Sequence, residues 1–454
     1  MKRIDLLPDE VLLEFFYFYT NIDPRLGKTG IEEWQTLVHV CRRWRSLIFQ
    51  SPRRLNLRLY CSPKTPARDT LDVWPALPLI VAGRVLTSLG TSNVVAALRQ
   101  SDRVCKISLT RLAGWRLEQV LARMHVPFPE LTYLELFSDG EAPVIPDSFL
   151  GGSAPRLQYL SSSSIPFPRS PKLLLSAKHL DTLALYRIPH SRYISPEAVV
   201  ALLSVSASLK EFHLGFQSPE SRPHWESRSL PPPKRSILPA LKELHFTGVT
   251  EYLEELVTRI DTPQLDRIYI TFFNQIDFDC PRLTQFINCT PTLTGRALDE
   301  AHVQFVDDNA GITLRPRTSM PGYDNLRIYV SCREPDWQLS SIEQVCNSSL
   351  PPLYTVEDLY IEHRFWRVAW KTDAIENTLW LQVLRLFTAV KDLYLSRDVA
   401  PAIAAALQEL VGARITEVFP TLRNIFVEGL EPSGPFEENL GRQLSDYPIP
   451  ISVW

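Results

Sequence analysis

Two nearby stretches carry one pattern: Pro239-Ala240-Leu241-Lys242-Glu243-Leu244-His245-Phe246 and Pro263-Gln264-Leu265-Asp266-Arg267-Ile268-Tyr269-Ile270. Each is a proline, one residue, and then apolar-x-x-apolar-x-apolar. The alternation at the end buries every second side chain, which predicts a short β-strand. The proline stops any helix before it and turns its predecessor extended, preparing the chain for that strand. The apolar pattern also begins at 104, 131, 180, 209, 356, 390 and 422, with weaker copies at Leu157 and Leu283. The same proline precedes Leu131, Leu157, Leu283 and Leu422. This punctuation accounts for part of a proline content of 37 in 454 residues, about 8% against roughly 5% in average proteins.

Helical segments separate the copies. Ser195-Pro196-Glu197 offers an N-cap with Pro at the first helical position. Ser340-Ser341-Ile342-Glu343 offers a capping box, and Ala400 to Leu410 is a helical run that Gly412 would cap. A strand–helix unit of this size cannot bury its own apolar side, so units must stack. The layout resembles degenerate leucine-rich repeats. It implies an α/β fold: a curved solenoid over 101–430 with a parallel sheet on its concave face. Residues 59–100 read as a linker and first divergent repeat, 217–237 as a Pro-rich loop, 290–355 as divergent repeats and 431–454 as a C-terminal tail. A doubly wound fold would require a Gly-rich phosphate turn, and none is found.

The first 58 residues differ. Leu7-Pro8-Asp9-Glu10-Val11-Leu12 suits a helix start, with Pro in the first turn and acids complementing the dipole. Phe15, Phe16 and Tyr19 extend its apolar side. Further on, Leu37, Val40, Cys41, Trp44 and Ile48 fall on one helical stripe, with Arg42, Arg43 and Arg45 opposite. In this order, followed by Ser51-Pro52-Arg53-Arg54-Leu55, the segments resemble an F-box, the helical module that docks on the Skp-type adaptor of a cullin ubiquitin ligase. The stretch Thr20 to Glu33 is longer than the loop usual in that family. F-box and repeats together resemble the large family of F-box proteins with leucine-rich repeats in mushroom-forming fungi, as do Trp74-Pro75-Ala76-Leu77-Pro78-Leu79 and Trp337-Gln338-Leu339-Ser340-Ser341. The resemblance implies that Leu7, Pro8, Val11, Leu12, Leu37, Val40, Cys41, Trp44 and Ile48 contact the adaptor.

Composition gives no other lead. Apolar residues are 45%, charged residues 22% and the net charge −3, so bulk charge points to neither nucleic acid nor membrane. The seven cysteines form no Cys-x-x-Cys pair and have no His at zinc-ligand spacing, as expected of free thiols in a reducing compartment. No apolar run approaches a membrane span, and the expected location is cytoplasm, nucleus or both. Gly27-Lys28-Thr29 imitates the end of a P-loop, but Ile22 stands where its first glycine belongs. No His-Glu-x-x-His, Gly-x-Ser-x-Gly or EF-hand loop occurs. No enzyme activity, cofactor or metal is therefore expected.

What the resemblance implies is catalysis by proximity: adaptor and cullin at one end, a target protein on the repeats, and the chemistry done elsewhere. The alternative is a non-catalytic leucine-rich scaffold that uses the F-box and adaptor outside a ligase. The residue between the last two apolar positions of each unit should face the concave side. That slot holds Ser108, Glu135, Ala184, His213 and His245, then Tyr269, Tyr360, Tyr394 and Phe426. The row two residues earlier holds Glu211, Glu243, Arg267, Asp358, Asp392 and Asn424, largely acidic, with Glu243, Asp358 and Asp392 as expected target contacts. Aromatics beside acids suit a basic or Pro-containing peptide, although aromatics also favour strands without any ligand.

Overall fold

The structure is a computed structural model. It describes residues 7–20, 33–140, 142–166, 172–221, 235–274, 278, 280–295, 297–306, 308–318, 324–332, 334–349, 353–364, 377–408, 418–428 and 451–453. The chain divides into two packed units, Met1–Ile188 and Pro189–Trp454. The stretch between Thr20 and Glu33, most of the Pro-rich 217–237 segment, Gly412 and most of the tail lie outside the described residues.

The first unit begins with three helices, Asp9–Thr20, Glu33–Val38 and Arg42–Gln50, each packed against the other two. Leu12, Leu13, Phe16, Trp34, Leu37, Val38, Leu47 and Ile48 are buried there. Asp9 and Glu10 stand in the first turn of the first helix, where the dipole favours them. The third helix starts at Cys41, whose Sγ accepts the Trp44 N–H at 3.5 Å. Arg43 ties the first and third helices by reaching Asp9 at 2.5 Å. The Trp34 indole N–H donates to the Arg58 carbonyl at 3.0 Å, and its ring meets Trp74 edge-on at 5.0 Å. Those contacts fasten the helical module to the strands that follow.

Six parallel strands complete this unit in sequence order: β1 (Leu59–Cys61), β2 (Leu79–Arg84), β3 (Val104–Leu112), β4 (Tyr133–Ser138), β5 (Tyr159–Ser163) and β6 (Thr182–Ile188). The weak copy at Leu157 supplies β5, which pairs with both neighbours. Ser162, in the slot that is apolar elsewhere, is 3% exposed.

The second unit has β7 (Glu211–Phe216), β8 (Ser236–Ile237), β9 (Glu243–Gly248), β10 (Ile260–Asp261), β11 (Arg267–Phe273), β12 (Glu300–Val306), β13 (Asn309–Arg315), β14 (Leu326–Ser331), β15 (Asp358–Arg364), β16 (Asp392–Leu395), β17 (Asn424–Val427) and β18 (Ile451–Val453). Strands β8 and β10 form a small parallel sheet of their own. The main sheet runs β7-β9-β11-β14-β13-β12-β15-β16-β17-β18. As the spacing predicts, the copies at 241 and 265 give neighbouring parallel strands, β9 and β11. Helices Pro196–Leu203, Thr250–Val257, Pro281–Cys289, Pro335–Ser349, Asn377–Leu384 and Ala400–Gln408 pack one on the next. Leu209, Leu241, Leu265, Val356 and Val390, which open their units, are at most 1% exposed.

Three expectations are corrected. Pro281-Arg282-Leu283 opens a helix, Pro281–Cys289, because proline serves a first helical turn as well as it serves a strand approach. The helix expected from Ser340 begins at Pro335. Residues 300–331 form a meander in which β13 runs antiparallel to both β12 and β14, so the sheet is not parallel throughout. Ser195 caps its helix as expected, accepting the Ala198 N–H at 3.3 Å. Strand β18 extends the sheet beside β17.

Candidate functional site

The helical module hides some of the residues assigned to the adaptor and displays others. Leu12 is 2% exposed, Leu37 9% and Ile48 0%. These three belong to the module's own core, since a helix of this size must bury one side on its neighbours. They are removed from the contact set. Pro8 and Val11 are exposed, as is Val40 in the turn after the second helix, while Leu7, Cys41 and Trp44 are half-buried. Trp44 meets Phe16 edge-on at 4.8 Å. On the first helix Val11, Phe15 and Phe18 follow i, i+4, i+7 and point away from Leu12 and Phe16, with Phe15 63% and Phe18 69% exposed. An outward stripe of this kind on a well-packed helix is unusual without a partner. Phe15 and Phe18 are both absent from the sequence-based set because that helix is apolar nearly all round.

On the second unit's sheet, one open-face row is in register from strand to strand: His213, His245, Tyr269, Arg327, Thr313, His302, Tyr360, Tyr394 and Phe426. Tyr269 therefore shares the slot of the other predicted aromatics but stands apart from them, separated by the meander. Its ring lies under Arg327, 5.1 Å from the guanidinium carbon, and next to His245 at 4.3 Å. The rest form a ladder. His302 stacks on Tyr360 at 4.3 Å and 4°, Tyr360 on Tyr394 at 4.2 Å and 6°, and Tyr394 on Phe426 at 4.6 Å and 11°. Stacked this way, the rings cover each other's faces, so the ladder offers mainly ring edges outward. Cation–π binding on the inner faces, as the sequence suggested, has no room.

The acidic row is engaged as well. Glu243 is 9% exposed, and its Oε2 is 2.6 Å from Arg267 while its Oε1 meets His245. Asp358 is 3% exposed and paired with Arg317. Asp392 is half-buried, accepts from Asn424 at 2.7 Å and stands 3.9 Å from Arg317. Glu300 of the meander binds Arg315 and, at 2.6 Å, His302. Glu243 and Asp358 are thus corrected from target contacts to partners of the fold's own arginines. Buried carboxylates require such partners.

These neighbours set the proton affinities. Burial would raise the Glu243 carboxyl, but the His245 hydrogen bond and the Arg267 guanidinium outweigh it and hold it low. Asp358 is raised, because burial exceeds the pull of Arg317. Burial works to lower His302, yet its bonds to Glu300 and Glu362 prevail and raise it. Burial, then the nearby His245, push His213 down to about 4.

Gln304 of β12, Gly311 of β13 and Tyr329 of β14 are also in register. The Tyr329 hydroxyl donates to Gln304 Oε1 at 2.6 Å, and Gln304 donates to Glu362 at 3.2 Å. Among the described residues no helix is long and apolar enough to cross a membrane.

No family model matches the chain, and no curated protein matches it at a significant level. Among solved structures it is similar to the leucine-rich repeat-containing protein LegL7 from Legionella pneumophila. The identity is 13%, the coverage 86% of this chain and 97% of that one, and the TM-score 0.28.

Proposed function

We propose that the chain is a non-catalytic target-selecting subunit of a Skp-type adaptor–cullin ubiquitin ligase. The N-terminal module docks the adaptor, and the repeats hold the target. The observation that carries this is the outward stripe Val11, Phe15 and Phe18 on a helix whose other side already packs Leu12, Leu13 and Phe16. A module with a complete core and a second apolar row is built to lie in a partner's groove. The sequence order of the two helical segments supports the adaptor as that partner. On the sheet, the edges of Tyr360, Tyr394 and Phe426 form the target-facing strip, and Asp392 is the acid of the original set nearest to solvent. Ring edges carry positive potential, so the strip suits carbonyl-rich, apolar or aromatic segments better than a lysine-rich one.

The test is affinity capture of the full chain with the proteasome blocked. Recovery of adaptor and cullin with the parent, and of neither with Phe15→Ser/Phe18→Ser, supports the proposal. Adaptor without cullin supports a scaffold outside any ligase, and recovery of neither by the parent refutes both.

A further inference from the structure

At the β7 end of the same row lies a cluster for which docking has no use. His213 and His245 stand opposite each other on neighbouring strands, their rings 3.8 Å apart and 18° from parallel. Glu243 precedes His245 by two residues, so it shares the face, and its Oε1 bonds His245 Nε2. One ligand atom from each of the three lies within 4.8 Å of the others. We propose that His213, His245 and Glu243 form a binding site for a zinc-like divalent transition-metal ion.

The donor set suits the ion. Two imidazole nitrogens and a carboxylate oxygen bind zinc at about 2.0 to 2.2 Å and leave a fourth position open. At those bond lengths tetrahedral donors stand about 3.4 Å apart, so the two imidazoles, now stacked 18° from parallel, must turn their ring planes to aim a nitrogen each at one ion beside the Glu243 carboxylate. Neutral imidazole and carboxylate are the forms that bind metal. Arg267, 2.6 Å from Glu243 Oε2, fixes the carboxylate while Oε1 passes from His245 to the ion. An outer partner on a ligating carboxylate is a usual part of such sites. The arginine's positive charge offsets that of Glu243, so the affinity should be moderate. The open fourth position faces the side of the sheet on which the target would lie, and a target side chain could complete the shell.

Sequence spacing does not show this site, because the two histidines are 32 positions apart. Their only signal is that both occupy the same slot of successive units.

The experiment uses tag-free full-length protein stripped by chelator. Calorimetric titration with zinc chloride should show one ion per chain, and His213→Ala/His245→Ala should weaken it at least about tenfold, the loss seen when even an outer partner of a ligand is removed. X-ray absorption on the zinc-loaded parent should show nitrogen and oxygen donors with scattering from two imidazoles. That measurement decides the matter if the double variant folds poorly. Absence of binding, an unchanged affinity in a folded double variant, or a sulfur-containing shell from the cysteines would overturn the assignment.

Discussion

Removing Tyr394 should affect more than its own ring. It sits between Tyr360 at 4.2 Å and Phe426 at 4.6 Å, nearly parallel to both. A stacked pair contributes about 0.5 to 1.5 kcal/mol beyond area burial. Tyr394→Ala therefore loses two pairs, about 1 to 3 kcal/mol, whereas Phe426→Ala loses one. A double-mutant cycle isolates the effect from burial and strand propensity. Tyr360 and Tyr394 should couple by about 0.5 to 1.5 kcal/mol. Tyr360 and Phe426 lie two strands apart, about 9.5 Å at normal strand spacing. Their coupling should be no more than about 0.5 kcal/mol. The assay is urea unfolding followed by circular dichroism, with equal m-values required of every variant. Equal coupling for the two pairs would show that the stacking in the structure has no energetic counterpart, and the strip would lose its claim to be a rigid surface.

Other substitutions probe the remaining parts. Gly311→Ala would drive a methyl group into the ring of Tyr329, which crosses Gly311 on its way to Gln304. Overpacking of that kind costs about 1 to 3 kcal/mol, and a thermal midpoint equal to the parent's would remove this close approach from the account. In the helical module, Ile48→Ala should lower stability by about 2 to 5 kcal/mol and Phe15→Ser by far less, since Ile48 is 0% and Phe15 63% exposed. Similar losses in urea denaturation would contradict the division between the module's buried core and its exposed apolar stripe. His302 gives a pH test. Its folded-state proton affinity is raised by Glu300 and Glu362 against the effect of burial, so the native state holds the proton above the ordinary imidazole pKa of about 6.5. The stabilisation is complete below about pH 6.5 and is lost as pH rises through the higher folded value. Urea midpoints of the parent should fall over that interval relative to His302→Gln, and parallel curves would exclude the effect.

Much of the repeat was legible because strand alternation and proline punctuation are local signals. Leu241, Leu244 and Phe246 announce β9 without reference to anything distant. The same cues failed where one residue type serves two structures. Pro281 and Leu283 fit a helix start as well as a strand approach, and the helix won because Leu283, Phe286 and Ile287 bury one helical face. Alternation also carries no direction. Val303 with Phe305, Ile312 with Leu314 and Ile328 with Val330 show that strands exist but not that the middle one is reversed. The meander in turn decides the site. It inserts Arg327, Thr313 and His302 between Tyr269 and Tyr360, and Arg315 pairs with Glu300 across the β12–β13 hairpin. Arg317 reaches Asp358 from 41 residues away. Charge pairing over such separations is set by topology, so the acidic row looked available in the sequence and is engaged in the fold. In the first helix, apolar residues on all sides hid which row points inward until packing against the second and third helices, with Trp44 edge-on to Phe16, fixed it.

The central claim is that the Val11–Phe15–Phe18 stripe is an adaptor interface. The most direct test is calorimetric titration of the purified full-length chain with a purified Skp-type adaptor, comparing the parent with Phe15→Ser/Phe18→Ser. Aromatic anchors of this kind contribute about 2 to 4 kcal/mol, so the double variant should bind about 30- to 1000-fold more weakly with an unchanged melting temperature. Equal affinity of parent and variant, or no binding by the parent, would contradict it.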